Sequence, residues 1–453
     1  MSTVPHNADV IIIGAGAAGI LAAWRASCLG AKVILLEKTS RIGTKILISG
    51  GGKCNVAHDG SLESVLSAFR PNEARFIRPA CYRFTNRQII QLFEEQGLEV
   101  YTRPDGRVFP VWQTAKDVIR ILDEMLVEAR VKLSLESPVV GLTRLEDGWT
   151  VKVGSPIEPH KGYRHATKGE TKTLTCKKII VCAGGKSYPN CGTTGDGWDW
   201  LENLGHTVLP PLAALAPIYL HWSQDQSALS GIALRDSILK ARQNGKEMAR
   251  WKGDLLLTHL GISGPTALGV SREVAEAMRN GEVTAEVDIV PFLTFESLTT
   301  HFTNLPPKQP VQSVLTEWMP ARVADLLLTE CGIERELPSS RLDRKRRNRL
   351  IESLKAWQLG PVRVVPLEKG EVTAGGVSLE EVNPHTMESL IVPGLFLAGE
   401  VLDVAGPVGG YNLQSAFATG YVAGEEAAKS LASSADMPAD RSQFPGFKPQ
   451  NSG

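Results

Sequence analysis

Ala8-Asp9-Val10-Ile11-Ile12-Ile13-Gly14-Ala15-Gly16-Ala17-Ala18-Gly19 stands near the start of the chain, and its punctuation decides the fold. The β-branched run to Ile13 fits a strand buried on both faces of a parallel sheet. The glycine turn opens an Ala/Leu-rich helical stretch to about Gly30. A second strand, Lys32-Val33-Ile34-Leu35-Leu36, then ends on Glu37. This is a complete βαβ unit. Gly14 makes the tight turn, Gly16 admits a pyrophosphate close to the backbone, and Gly19 lets helix pack on strand. The N–H groups of Ala17 and Ala18 at the helix start face the phosphates. Glu37 lies about 20 residues past the glycines, where a carboxylate accepts hydrogen bonds from both ribose hydroxyls. An unphosphorylated 2′-OH is implied, so FAD or NAD rather than NADP.

A second glycine cluster follows soon after. Lys38, Thr44 and Lys45 lead into Ser49-Gly50-Gly51-Gly52-Lys53-Cys54-Asn55. Backbone drawn close at that distance from an adenosine site suits a ligand running past its pyrophosphate to a bulky ring, a flavin rather than a nicotinamide. The other reading is a flexible glycine loop without chemistry. Lys178 to Val181 forms another buried strand, running into Cys182-Ala183-Gly184-Gly185. Gly394 to Leu397 is a third, running into Gly399-Glu400-Val401-Leu402-Asp403. Gly409-Gly410-Tyr411-Asn412-Leu413 opens an Ala/Gly-rich helix to about Ala428, whose N-terminal donors again meet an oxygen-rich group. Asp403 is placed to hold a ribityl hydroxyl, and the Gly409 to Leu413 backbone to face the N1/O2 edge of the flavin. Val139 completes the expected cofactor-lining set.

Size and charge bound the rest. At 453 residues the chain exceeds one ordinary core, and 49 basic against 49 acidic residues leave no global field for nucleic acid or membrane. Seven cysteines without regular spacing argue for free thiols in a reducing compartment. Residues 1 to 8 carry no Lys or Arg, and the apolar run Val10 to Trp24 is short and Gly-rich. A cytoplasmic chain without signal peptide or membrane span is expected. The nine histidines show no ligand spacing, so no metal is expected.

Together these motifs resemble the bacterial FAD-dependent oxidoreductases that include aminoacetone oxidase, a bile-acid 3-oxo-ene reductase and a ribosomal RNA dihydrouridine synthase. The likeness also rests on Gly106-Arg107-Val108-Phe109-Pro110, Gly184-Gly185-Lys186-Ser187-Tyr188-Pro189, Gly195-Asp196-Gly197, Thr258-His259-Leu260-Gly261-Ile262-Ser263-Gly264-Pro265, Val372-Thr373-Ala374-Gly375-Gly376-Val377 and Gly410-Tyr411-Asn412-Leu413-Gln414. Two departures are visible. Val56 leads into Ala57-His58 where Thr-Asn is usual, and Cys182-Ala183-Gly184-Gly185 stands where Ala-Thr-Gly-Gly is common. The resemblance implies an α/β fold: a Rossmann-type FAD-binding domain, glutathione-reductase-like, with an inserted β-barrel plus helical domain.

Residues 1–205 and 370–433 are expected to build the FAD domain, 206–369 the inserted substrate domain, and 434–453 a poorly ordered tail. Prolines at 210, 211, 291, 306 and 307 punctuate the insert. Thr284 to Val290 alternates like a strand, and Pro310 to Gly332 and Pro338 to Leu359 carry helical spacing. Lys161 to Thr173 reads as a polar hairpin tip.

Proton-handling candidates are His259 and Cys54. His259 either donates a proton opposite the flavin or braces its turn. Cys54 is either a donor, its pKa lowered by Lys53, or a packed thiol raised by burial. Arg103, Asp105 and Arg107 either line a substrate mouth or cap an exposed turn. The run Arg341, Arg344, Lys345, Arg346, Arg347, Arg349 either contacts RNA phosphates or is a solvated helix face. The leading expectation is a reductase: FAD takes hydride from transiently bound NAD(P)H and passes it from N5 to an activated C=C bond, in an enone or a ribosomal RNA uridine. An oxidase of a small amine such as aminoacetone, producing hydrogen peroxide, and a flavin-dependent RNA-binding protein with little turnover are the alternatives.

Overall fold

The computed structural model describes residues 6–155 and 171–432. Most of the expected hairpin tip at Lys161 to Thr173 and the tail from Ser434 lie outside the described residues. Two compact units are formed, one from the chain up to Pro211 and from Val372 onward, the other from Leu212–Glu371.

In the first unit, β1 (Ala8–Ile13), α1 (Ala17–Cys28) and β2 (Val33–Leu36) form the βαβ unit. β1 pairs in parallel with β2 on one side and with the strand Lys172–Val181 on the other. That strand is shared by two arrangements. Its first half pairs antiparallel with Gly148–Val153, and its last residues pair in parallel with Leu395–Leu397. Ile11, Ile12, Leu35, Ile179 and Ile180 are fully buried between the layers, each contributing roughly 1.5–3 kcal/mol. In register, Ile13 lies beside Leu36 and Val181, and Val181 beside Leu397. The loops after all four strands therefore leave the sheet along one edge, at the carboxyl ends where open α/β sheets bind ligands.

The long helix Tyr411–Ala432 lies directly on α1. A Cβ at Gly420 would stand 2.1 Å from the Ala18 carbonyl oxygen, and one at Gly424 2.2 Å from that of Ala22. Paired small residues at i and i+4 on both helices thus bring the two backbones into contact.

The second unit is a closed six-stranded barrel with helices. The barrel order is Ile218–Leu220, Gly261–Ser263, Lys246–Thr258, Ala233–Gln243, Thr284–Asp288, Trp357–Val364. Two helical readings are refined here. Pro310 to Gly332 is two helices, Val311–Trp318 and Ala321–Cys331, because Pro320 cannot continue the first. Pro338 to Leu359 holds the helix Arg344–Lys355, but Trp357 onward is strand, held by pairing with Thr284–Asp288. Among the described residues, no helix is long and apolar enough to cross a membrane.

Candidate active site

The glycines after β1 take up the geometry their positions demand. Gly14 has φ +96°, and a Cβ there would sit 2.4 Å from the Cys182 carbonyl oxygen; one at Gly19 would sit 1.8 Å from that of Gly14. Gly16 differs, because the direction its Cβ would take meets no atom within 4 Å. Gly16 is also the N-cap of α1, with no side-chain cap and no acid in the first turn. The first N–H groups of α1 therefore point, with the positive end of the helix dipole, into open space shaped for an anion.

Glu37 is fixed beside this turn. Its Oε2 accepts from the N–H of Ala15 and its Oε1 from the N–H of Thr39, both at 2.8 Å. Each carboxylate oxygen keeps a second acceptor site for a hydroxyl. Gly43 donates its N–H to the Ala15 carbonyl at 2.8 Å, tying the segment after β2 back onto the glycine turn. Lys38 is engaged with Asp196 and Thr194, each at 2.6 Å.

Lys45 and Glu400 meet in an ion pair of 2.7 Å. Ser187 Oγ lies 2.9 Å from the ammonium, and Glu400 Oε1 accepts the Thr373 N–H at 2.7 Å. Gly184 and Gly185 pack into this cluster: a Cβ at Gly185 would be 2.5 Å from Thr373 Oγ1 and 3.1 Å from Glu400 Oε1. Gly399 lies against α1, its would-be Cβ 2.8 Å from Ala18 Cβ, and Asp403 Oδ1 accepts the Gly375 N–H at 2.8 Å.

The second glycine cluster folds as a turn over Ser49–Gly52, with Gly50 and Gly51 both left-handed. Asn55 Oδ1 accepts the N–H of Val108, and a Cβ at Gly410 would come within 2.9 Å of that oxygen. The segments around Asn55 and Gly410 are thus brought together, as are those around Lys45 and Glu400. Asn412 closes the same loop by bonding the N–H and carbonyl of Gly406. Lys53 is exposed, Leu413 half-buried, and Val139 is a buried strand residue opposite Val153.

Two buried polar atoms near the ends of these segments lack a partner: Thr44 Oγ1 and Gln414 Nε2. With the uncapped α1 terminus and the open Gly16, they are what a dinucleotide with a polar ring would satisfy. The residues present fit FAD.

The proton-handling candidates fare unequally. Cys54 is fully buried in a left-handed conformation, φ +61°, and burial pushes its thiol up to about 12 against a lowering hydrogen bond from Ser49. Exposed Lys53 does not offset that. His259 belongs to the barrel unit, exposed in the two-residue turn between Thr258 and Gly261, and its carbonyl lies 3.4 Å from Ser227 Oγ. Arg107 pairs with Asp105 at 2.5 Å, and Arg103 lies over the Phe109 ring, 4.1 Å from its centroid.

A third group was visible in the sequence only as a departure, His58. Its Nδ1 lies 3.0 Å from the Gly409 carbonyl, which only accepts, so Nδ1 carries a proton, and in the neutral ring Nε2 is the accepting nitrogen. The Tyr411 hydroxyl lies 3.1 Å from that Nε2, the two rings stacked at 4.3 Å and 19°. Burial, and then Asp105, raise the Tyr411 pKa. The Tyr411 hydroxyl then donates to Nε2 and becomes a proton source for a bound acceptor only by turning its O–H away from His58. Among the described residues no group of three or more His, Cys, Asp or Glu is placed to hold a metal ion.

The family model described as HI0933-like protein Rossmann domain matches residues 8–426. The chain is 32% identical over 414 residues to a ribosomal RNA dihydrouridine synthase of Haemophilus influenzae, covering 91% of this chain and 96% of that one. It is 30% identical over 424 residues to a 3-dehydro-bile acid delta(4,6)-reductase of Clostridium scindens, covering 92% and 98%. In fold alone it is similar to the solved 3-ketosteroid delta1-dehydrogenase of Sterolibacterium denitrificans, with TM-score 0.52 and 15% identity over 93% of this chain and 99% of that one.

Proposed function

The chain belongs to the HI0933-like protein Rossmann domain family of FAD-dependent oxidoreductases, and from that premise we propose that it is a reductase of activated carbon–carbon double bonds. NAD(P)H, visiting transiently, is the donor; a uridine in ribosomal RNA is the favoured acceptor, with a small enone as the other. The cytoplasm is where both donor and acceptor would be met.

The observation that carries this reading is the span of the likeness. Two relatives matched over nearly their full lengths are named a dihydrouridine synthase and a delta(4,6)-reductase. Both products arise chemically when hydride and proton add across a C=C bond conjugated with a carbonyl. FAD, when bound, supplies the hydride through N5. The chain's own work is to hold and to protonate. The α1 terminus with Gly14, Gly16, Ala17 and Ala18 takes the pyrophosphate, and Glu37 the adenosine ribose. Thr44, Lys45, Glu400 and Asp403 serve the ribityl side, and the Gly50 to Asn55 and Gly409 to Leu413 backbones the ring.

The preference for RNA rests on the helix Arg344–Lys355. Arg346 is paired with Asp343, and Arg347 reaches Thr303. Arg341, Arg344, Lys345 and Arg349 are exposed and make no ion pair among the described residues. Basic side chains in a first helical turn oppose the helix dipole, at about 0.3–1 kcal/mol each. Their presence there is explained by an external anion better than by the fold.

Anaerobic stopped-flow reduction by NADH and by NADPH, followed by oxygen, 2-cyclohexen-1-one or deproteinised ribosomal RNA, tests the reading. Bleaching by a pyridine nucleotide and reoxidation by RNA or the enone is the expected course. Bleaching by aminoacetone alone, with fast return in air and peroxide formed, establishes the oxidase instead. RNA binding without any reoxidation by RNA or enone establishes the low-turnover RNA-binding reading.

A further inference from the structure

The helix Pro71–Arg83 carries two arginines, Arg75 and Arg78, that make no ion pair among the described residues. Between residues 70 and 87 stand Arg70, Arg75, Arg78, Arg83 and Arg87, against a single acid, Glu73. Glu73 is fully buried. The apolar face, with Phe76, Ile77, Ala80 and Cys81, is buried too. The outward face therefore bears no carboxylate of its own, where ordinary solvated helices intersperse both signs.

The two ends of this helix differ. Arg83 is paired with Glu425 and Glu426 of the helix Tyr411–Ala432, at 2.7 and 2.5 Å. Arg75 and Arg78 are exposed and have no ion pair among the described residues. Arg78 lies over the ring of Tyr82, 5.8 Å from its centroid, and Tyr82 is 50% exposed. Its hydroxyl bonds Glu63, the acid nearest this face. Positions 75, 78 and 82 follow i, i+3, i+7, so two guanidinium groups without an ion pair, one of them within the field of Glu63, and an aromatic face line one stripe about 10 Å long. The same helix backs the flavin-side loop: Glu73 Oε2 lies 3.4 Å from the Ala405 N–H, and Phe69, just ahead of the helix, meets the Tyr411 ring edge-on at 5.9 Å.

We propose that Arg75, Arg78 and Tyr82 form a contact surface for single-stranded RNA, the guanidinium groups on phosphates and the tyrosine ring beneath a base. The inference rests on the RNA form of the proposed function and assigns it a grip inside the unit that carries the flavin site. Single strands are held by this pairing of basic groove and stacking ring, without sequence readout. An acidic peptide would also seek the arginines but has no use for the exposed ring.

Anisotropy of a fluorescein-labelled 20-mer of uridine, titrated with flavin-loaded enzyme between 50 and 200 mM KCl, tests it. Arg75→Gln/Arg78→Gln is expected to bind at least about tenfold more weakly and to flatten the log–log salt slope by about 1.4, two single-strand contacts. Tyr82→Ala is expected to lose about tenfold, and Tyr82→Phe to retain binding. Flavin content and thermal midpoint confirm folding, and the single variant Arg75→Gln stands in if the double is unstable. Unchanged affinity and slope in these variants, with binding lost in Lys345→Gln/Arg349→Gln, overturns the surface and leaves the RNA reading intact. No binding by the unmodified enzyme at 50 mM KCl removes both, while reduction of an enone remains open to measurement.

Discussion

The Lys45 ammonium sits 2.7 Å from Oε2 of Glu400, joining the segment after β2 to the loop after Leu395–Leu397 across 355 positions. The pair is mostly shielded, and Glu400 also takes the Thr373 N–H. Glu400→Gln leaves Lys45 without its counter-charge and replaces an acceptor with a donor. A stability loss of about 2 kcal/mol is expected, with a fall in the flavin-to-protein absorbance ratio of the purified variant. An unaltered ratio and unfolding midpoint would show that the pair does not shape the site.

Gly420 answers to sterics rather than charge. Its missing Cβ would lie 2.1 Å from the Ala18 carbonyl, which is backbone and cannot rotate away. Gly420→Val is expected to cost at least about 3 kcal/mol in urea unfolding, and Gly141→Ala, where a Cβ meets nothing and φ is not positive, far less.

Acid sensitivity should come in part from His206. Its ring is sealed between Glu381, 3.1 Å from Nδ1, and Ser389, 2.9 Å from Nε2, and burial holds its pKa below the usual 6.5 despite the carboxylate. The folded protein therefore keeps the ring neutral where the unfolded chain takes up a proton. Stability is full above about pH 6.5 and declines as pH falls below it, until the depressed folded value is reached, at up to about 1.4 kcal/mol per unit. Glu381, whose pKa is lowered from the usual 4.5, stays charged over the pH range of the measurement below. Urea midpoints measured from pH 8 to pH 5.5 should show the decline in the parent and a shallower one in His206→Asn; parallel profiles count against it.

Proton delivery separates Cys54 from Tyr411. The Cys54 thiol is fully buried and closed to an acceptor, where Tyr411 is only half-buried, so Cys54→Ala should leave the reductive and oxidative half-reactions within about threefold. Tyr411→Phe, which removes the hydroxyl beside His58, should slow the oxidative half-reaction by about 10²-fold or more. The reverse ranking in stopped-flow traces would reinstate the cysteine.

The part of the fold legible in the sequence was the part made of near neighbours. β1, α1 and β2 follow from a β-branched run, a glycine turn and a small-residue helix, each decided within a dozen residues. Trp357 to Leu359 was misread because Leu350, Leu354 and Trp357 continue a helical spacing; what makes the segment a strand is Thr284–Asp288, some seventy positions earlier. The glycine turns could be found by their chemistry. Which side chains they bring together could not, since Lys45 with Glu400 and His58 with Tyr411 are pairings only the folded sheet edge creates. Thr373 and Ser187 carry no local signal for the cluster they join, and the arginine stripe of Pro71–Arg83 is seen only once the helix shows which face is buried.

The backbone contact of Gly420 and Gly424 with Ala18 and Ala22 also sets a clock. The helix that seats α1 is made roughly 400 residues after the nucleotide turn, some 20–80 s at ordinary synthesis rates. Through that interval the early βαβ unit is a half-built cradle with an apolar helix face uncovered. Cofactor capture is then a late event, coincident with the arrival of the long helix, and ribosome-bound chains halted near residue 400 should remain colourless in the presence of FAD while chains halted well past Ala432 turn yellow.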